Sequence, residues 1–484
     1  MSHEAQAVRS GERLKQGTAS PEAALARHVA TLDCSNVTAA TRDRIAVLLL
    51  DYVACVLAGL QSLECARLAQ RAVARGGTPE SSIAGVGTHV PAPAAAFVNA
   101  ALAHWYEWDD VYDAGGLHAS AVILPVLIAS AEAAGKREGA AAGGAFVSAA
   151  IAAYDVAGRI SAALTPWSAS GWMPTGVAST VGAAAASARL FGLDERGVLS
   201  AMGLAGAGVG LSRQPIVDKV DGKNVLCAQA ATRAVEAAYL ALDGISGAPN
   251  FLAGPLGQNA LVTGGRADIT GGLADLGARF CADEVSFKPY PSCRATHPVV
   301  DLALDLQAEQ RTDPAAIARV EAIVPQPMAD MCGASFSAGE NPRVAAQFSI
   351  PYTVARALAQ RTLGLSDFDA RAVAADEAVL ELAGRVETRG VPVPPGNPYL
   401  GEPVTLRIHR NDGTVVERTT PLVKGSPARP MTDSERSTKL SDAARGRLAA
   451  SQIRALLDAV MQVSQLGVAP VMDILRQACR PTSP

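Results

Sequence analysis

Aromatic residues are scarce in this chain: Phe, Trp and Tyr make up 4% of its 484 residues. Alanine and glycine dominate instead, which suggests helices packed closely through small side chains. Charge is thin as well. Asp, Glu, Lys and Arg total 18%, below the ~25% of ordinary globular proteins, which fits a large buried interior or a buried oligomer interface. The 42 basic and 46 acidic residues give a net charge of −4. With no basic stripe, nucleic acid is not an expected partner. An acidic substrate would need cations placed locally. The eight cysteines form no CxxC pair and no Cys/His cluster with zinc spacing, so they read as reduced cytosolic thiols. The N-terminus carries Glu4, Arg9, Glu12, Arg13 and Lys15 without an apolar core and is not a signal peptide. The most apolar stretch, 119–131, is interrupted by Pro125 and ends at Glu132, too short to span a bilayer. A cytoplasmic protein without membrane contact is expected.

The length calls for two or three domains. Residues 1–21 read as a polar, disordered tail. From 22 to 284 the pattern is helical, with apolar segments over 41–59, 93–108, 121–134, 144–164, 177–190, 195–209 and 228–242. Gly135, Gly192 and Gly244 supply stops, and no hairpin turn intervenes. Near 285 the texture changes. Residues 285–291 suit a strand or an extended loop, 318–324 alternate and end at Pro325, and 385–388 form another candidate strand. Asp412-Gly413 between the alternating runs 404–410 and 414–419 is a hairpin signal. Helices are predicted over 298–310 and 345–359, and again over 433–480. The expected fold is mainly α: an all-α helical-bundle domain from 22–284 and 431–484, plus a smaller α+β lid domain from 285–430.

Three stretches carry candidate chemistry. In the first, His104 precedes the adjacent acids Asp109 and Asp110, with a glycine pair before His118. Carboxylates near a histidine set its tautomer and raise its basicity, although the same acids would serve equally well as helix caps or surface charge. In the second, Lys288, Tyr290, Cys293, Arg294 and His297 fall within ten residues. Convergent cations suit a carboxylate-rich substrate, against the plainer reading of a linker with solvated charges. In the third, Lys219 and Lys223 precede an Ala-rich helix, where a lysine and free amides can hold an anion. More often such a lysine is solvated. Gly203, Gly206, Gly208 and Gly210 tempt a dinucleotide reading, but the preceding segment is helical, so close helix packing explains them better.

Together these stretches resemble the MmgE/PrpD family, whose members include 2-methylcitrate dehydratase, cis-aconitate decarboxylase and iminodisuccinate epimerase. The resemblance runs from about residue 22 to 475. It is carried by the block from His104 through Asp109-Asp110 and His118 to Pro125, by Phe287-Lys-Pro-Tyr-Pro-Ser-Cys-Arg-Ala-Thr-His297, and by Gln347-Phe-Ser-Ile-Pro-Tyr352. It implies a homodimer and an interdomain cleft with no metal or organic cofactor. Asp109 or Asp110, His118, Lys223, Lys288, His297 and Tyr352 should line that cleft. His104, Arg294 and Met173 are counted with them as substrate-binding candidates. One departure is evident: where many members carry Gly-Phe-His-x-Thr-Gly, this chain has Gly171-Trp-Met173-Pro-Thr-Gly176, and methionine neither transfers a proton nor neutralises a carboxylate.

The implied chemistry is proton transfer at a carbon α to a carboxylate, on a small di- or tricarboxylate. His118 is expected as general base or acid, oriented by Asp109 or Asp110, with His297 as its partner on the lid side. Lys223, Lys288 and Arg294 would stabilise the enolate-like anion. A 2-methylcitrate-dehydratase-like lyase is the first expectation. An epimerase is the second, made more credible by Met173, and a decarboxylase the third. A non-catalytic binding homologue stands against all three.

Overall fold

The structure, a computed structural model, describes residues 20–136, 138–167, 171–208, 210–394 and 402–478. Its architecture is mainly α, with a large helical part and a smaller α+β part, as the sequence pattern implies. The two have separate hydrophobic cores. One runs from Leu25 to Phe287 and resumes from Met431 to Ala478, while the other lies between Tyr290 and Ile408. Lys288 therefore stands at the seam.

Long helices build the first core: Ala39–Gly59, Ala92–His104, Ser120–Ala133, Gly139–Leu164, Thr180–Leu190, Glu195–Ala207 and Leu226–Leu242. Small residues let them approach closely. A Cβ on Gly59 would collide with the Leu102 carbonyl, and one on Gly182 would lie 2.5 Å from the Ala153 carbonyl oxygen. Such crossings allow close packing without aromatic bulk. The helices Asp433–Ala444 and Ala450–Met461 return to pack on Ala39–Gly59. The helical stretch Gly139–Trp167 is long and apolar enough to cross a membrane, but 78% of its most apolar window is buried inside the fold.

The smaller part is a four-stranded sheet covered by the helices His297–Gln310 and Ile350–Gln360. A separate antiparallel pair in the helical part, β1 (Ser81–Ser82) and β2 (His89–Val90), precedes it in the chain. The sheet strands are β3 (Ile317–Pro325), β4 (Val386–Val391), β5 (Val404–Arg410) and β6 (Val415–Thr420), in the order β4-β3-β5-β6. Only β3 and β4 run parallel. The β5–β6 hairpin turns at Gly413 (φ 84°), where Asp412 accepts from the Thr414 amide at 2.9 Å.

Several local expectations need correction. The β1–β2 pair and the helix Leu63–Arg75 were not read from the pattern. Of the two readings of 285–291 the extended loop holds, with a single bridge joining Ser286 to Val111. The helix expected over 345–359 breaks in two, because the Ser349 hydroxyl caps a new start by accepting from the Tyr352 amide at 3.1 Å. The helix expected over 93–108 stops at His104, and the residues it releases build the site.

Candidate active site

Beyond His104 the chain turns through Trp105 and Tyr106 into Glu107, whose φ of 56° is left-handed. For a residue with a side chain this conformation costs about 1–2 kcal/mol. It brings the Glu107 carboxylate, 1% exposed, to a focus of cations. Lys288 Nζ lies 2.7 Å from Oε1, and Lys223 Nζ forms an ion pair with Oε2. His118 Nε2 is 3.6 Å from Oε1 and His104 Nε2 is 3.9 Å from Oε2. Glu107 is the residue that sequence reasoning passed over. A single glutamate in an apolar helical pattern carries no signal of a left-handed turn.

Asp109 is the second focus. Its Oδ2 sits 2.9 Å from His104 Nδ1 and 3.0 Å from His118 Nδ1, and the two rings meet edge to face at 4.7 Å. This pattern assigns a proton to each Nδ1 and turns each Nε2 toward Glu107. Burial pushes His104 down to about 3, so its ring is neutral at neutral pH. Burial alone would raise the Asp109 carboxyl, but His104 and His118 outweigh it and hold it well below the usual range. The His118 amide donates to Thr175 Oγ1 at 3.1 Å. Thr175 opens a π-helical turn, Thr175–Ser179, ahead of the helix Thr180–Leu190.

Of the two expected acids, then, Asp109 holds His118 and Asp110 does not. Asp110 accepts from the Ser120 amide at 3.0 Å and from the Ser120 hydroxyl, which also meets Tyr154. It anchors the start of the helix Ser120–Ala133. Burial, helped by Asp51 and Asp109, raises its carboxyl to about 7.

The lysines come from distant places. Lys223 lies in the 3-10 turn Asp221–Val225, and burial, with Lys288 nearby, pushes it well below the ordinary lysine value. Burial also lowers Lys288. A third buried lysine, Lys439, pairs with Asp51 at 2.6 Å and donates to the Trp108 carbonyl at 2.7 Å. Sequence reading missed it too.

The bonds of the other expected residues go elsewhere, although His297 and Arg294 still feel the charge of Lys288. Tyr352 is buried in the core of the α+β part, its ring tilted against Phe336 and Phe368, with its hydroxyl donating to the Asp367 carbonyl at 2.6 Å. Arg294 donates to the Lys424 carbonyl at 2.7 Å and reaches Asp113 at 3.4 Å, tying loops together. His297 is buried with Nε2 3.2 Å from the Ser292 carbonyl, and burial and Arg294 lower it well below 6.5. Met173 is buried, its amide bonded to the Leu211 carbonyl at 3.1 Å.

His104, Asp109 and His118 bring ligand atoms within 4.8 Å of one another, which also suits a cation. The ammonium groups of Lys223 and Lys288 lie against Glu107 beside them, and their charge opposes a dication there. Proton transfer next to an anion site is the better chemical reading of the group.

Two family matches cover the fold. The MmgE/PrpD N-terminal domain matches residues 23–269 and the MmgE/PrpD C-terminal domain matches residues 290–464. The chain belongs to the MmgE/PrpD family. The junction between the two matches falls on the seam that carries Lys288. Cis-aconitate decarboxylase-like protein oryM of Aspergillus oryzae is 32% identical over 189 residues, which are 38% of this chain and 39% of that protein. The similarity to that relative thus spans well under half of either chain.

Proposed function

We propose that this MmgE/PrpD protein is a cofactor-independent lyase. Its substrate is a small di- or tricarboxylate, and it removes a proton from the carbon α to a carboxylate. A 2-methylcitrate-dehydratase-like elimination is the leading form. The supporting observation is the convergence of Lys223, Lys288 and two Asp109-bound histidines on one carboxylate, that of Glu107. A site that holds a side-chain carboxylate in this way suits a substrate carboxylate, and substrate binding requires Glu107 to give up one of its lysines.

In this mechanism the two ammonium groups stabilise the enediolate that forms as the α proton leaves, in a dry setting where such charge stabilisation is large. His118 takes the proton on Nε2. Asp109 keeps its proton on Nδ1 and stabilises the imidazolium. Because His297 faces the Ser292 carbonyl, the acid that protonates the departing hydroxyl falls to Lys223, whose proton burial has loosened. The decarboxylase reading has its own support in the oryM relative's name. Loss of CO2 would leave a comparable carbanion, which takes its proton from the Lys223 ammonium.

Proton NMR in D2O with 2-methylcitrate, citrate, cis-aconitate and iminodisuccinate tests the proposal. A new vinyl signal from 2-methylcitrate or citrate supports elimination. Loss of CO2 from cis-aconitate supports the decarboxylase. Deuterium entering the α carbon without net loss would replace the lyase with an epimerase. His118→Ala is expected to abolish turnover while the circular dichroism spectrum persists.

A further inference from the structure

The turn that presents Glu107 has an unusual means of support. Beyond the end of the helix at His104, four successive carbonyls receive side-chain donors from remote parts of the chain. Arg343 Nη1 donates to the Trp105 carbonyl at 2.8 Å and Gln347 Nε2 to the Tyr106 carbonyl at 2.6 Å. Lys288 Nζ donates to the Glu107 carbonyl at 2.9 Å and Lys439 Nζ to the Trp108 carbonyl at 2.7 Å. A buried carbonyl past a helix end has lost its partner four residues on and must find another donor. Here the donors come from side chains, and two of them belong to the short helix Pro342–Gln347 of the α+β part.

That helix is in turn fastened to the helical part. Arg343 Nη2 lies 2.6 Å from Asp221 Oδ1, and Asn341 Nδ2 donates to the same oxygen at 2.8 Å. The Arg343 guanidinium stands over the Trp105 ring at 5.1 Å and the Tyr106 ring at 5.7 Å. Gln347, fully buried, also receives the Cys293 amide on its carbonyl at 2.9 Å, which joins the turn to the loop that carries Lys288. A cavity of about 710 Å³, walled in part by Trp105, Tyr106, Asp221 and Arg343, opens beside this junction.

We propose that Gln347 and Arg343 are positioning residues: by holding the Tyr106 and Trp105 carbonyls they keep Glu107 left-handed, with its carboxylate between Lys223 and Lys288. Docking of the α+β part onto the helical part thereby assembles the acid–base site. When the donors leave, the turn loses the bonds that offset its backbone strain, and Glu107 leaves the lysines. The inference concerns how the site is built, and its catalytic consequence rests on the lyase reading above.

The test combines exchange with kinetics. Gln347→Met deletes the donor at similar volume. Arg343→Ala removes the second donor from a less buried position, and Arg343→Lys restores a donor. Hydrogen exchange of the full-length protein, read on peptides covering 104–112, is expected to quicken in Gln347→Met and Arg343→Ala and to recover partly in Arg343→Lys. Tyr352→Phe, which loosens the lid core without touching the turn, should leave that exchange unchanged. On a substrate that the wild type converts, kcat should fall about 10²-fold in the two deletion variants, the size expected of misplaced groups, with a much smaller change in KM. Unchanged exchange at 104–112 would overturn the proposal, as would quickened exchange with an unchanged kcat. A wild type that converts none of the panel would sink the lyase reading alone, because the exchange comparison stands without turnover.

Discussion

Glu107→Gln probes the centre of the site most directly. The substitution keeps the shape of the side chain and the left-handed strain but removes the negative charge. Lys223 and Lys288, 1% and 0% exposed, are then left without their shared carboxylate. Breaking a buried ion pair by removing one partner costs about 3–5 kcal/mol, and that range is the expected loss of stability near neutral pH. Burial already lowers both lysines, so in the variant they shed protons to escape the penalty. Their folded pKa values then lie below the unfolded value, the unfolded chain binds more protons, and stability rises with pH. The variant should therefore be least stable relative to wild type near pH 6 and recover toward pH 9. Urea unfolding followed by tryptophan fluorescence at both pH values measures this. The double variant Glu107→Gln with Lys223→Met should regain part of the loss, since one of the two buried charges left without a partner is then gone. A Glu107→Gln protein within about 1 kcal/mol of wild type at pH 6, well short of the penalty for a broken buried pair, would refute the description of the site as a closed ion cluster.

Three further outcomes are expected. Asp109→Asn should lower kcat by about 10²–10⁴-fold, the span of positioned acid–base help, because both histidines lose the acceptor that sets their tautomer; steady-state kinetics at saturating substrate measure it. Asp110 has a folded pKa of about 7 against 3.8, so the native state binds the extra proton and stability is lost as pH rises between those values. Asp110→Asn should flatten that part of the profile in denaturation series from pH 4 to 8. Tyr352→Phe should cost about 1 kcal/mol, one lost hydrogen bond, and leave turnover intact; a large loss of activity would return Tyr352 to the substrate site.

Much of the site's inventory was legible in the chain. His104, Asp109, His118 and Lys288 stand in the motif stretches, the family pattern picks Lys223 over Lys219, and the five do meet around Asp109 and Glu107. Their partners were not legible. Asp109 and Asp110 are neighbours with identical chemistry, and only the position of Ser120 beside Asp110 and of two imidazoles beside Asp109 separates their roles. Tyr352 belongs to a recognisable motif, yet that motif's buried amide, Gln347, is the residue that reaches the turn.

The sequence by itself determined the helical texture, the alternating strand that ends at Pro325, the Asp412-Gly413 hairpin and the family. Each of these is written in periodicity, turn chemistry or motif, which are properties of near neighbours along the chain. Only the tertiary structure decided that the helix stops at His104, that Glu107 rather than a substrate-side residue is the common partner of the lysines, and that Lys439, Arg343 and Gln347 support the turn from far away. A left-handed glutamate is unfavourable on local grounds. It persists because donors more than a hundred residues distant hold the carbonyls around it and two buried ammonium groups hold its carboxylate, interactions that exist only once the two parts of the molecule have packed together.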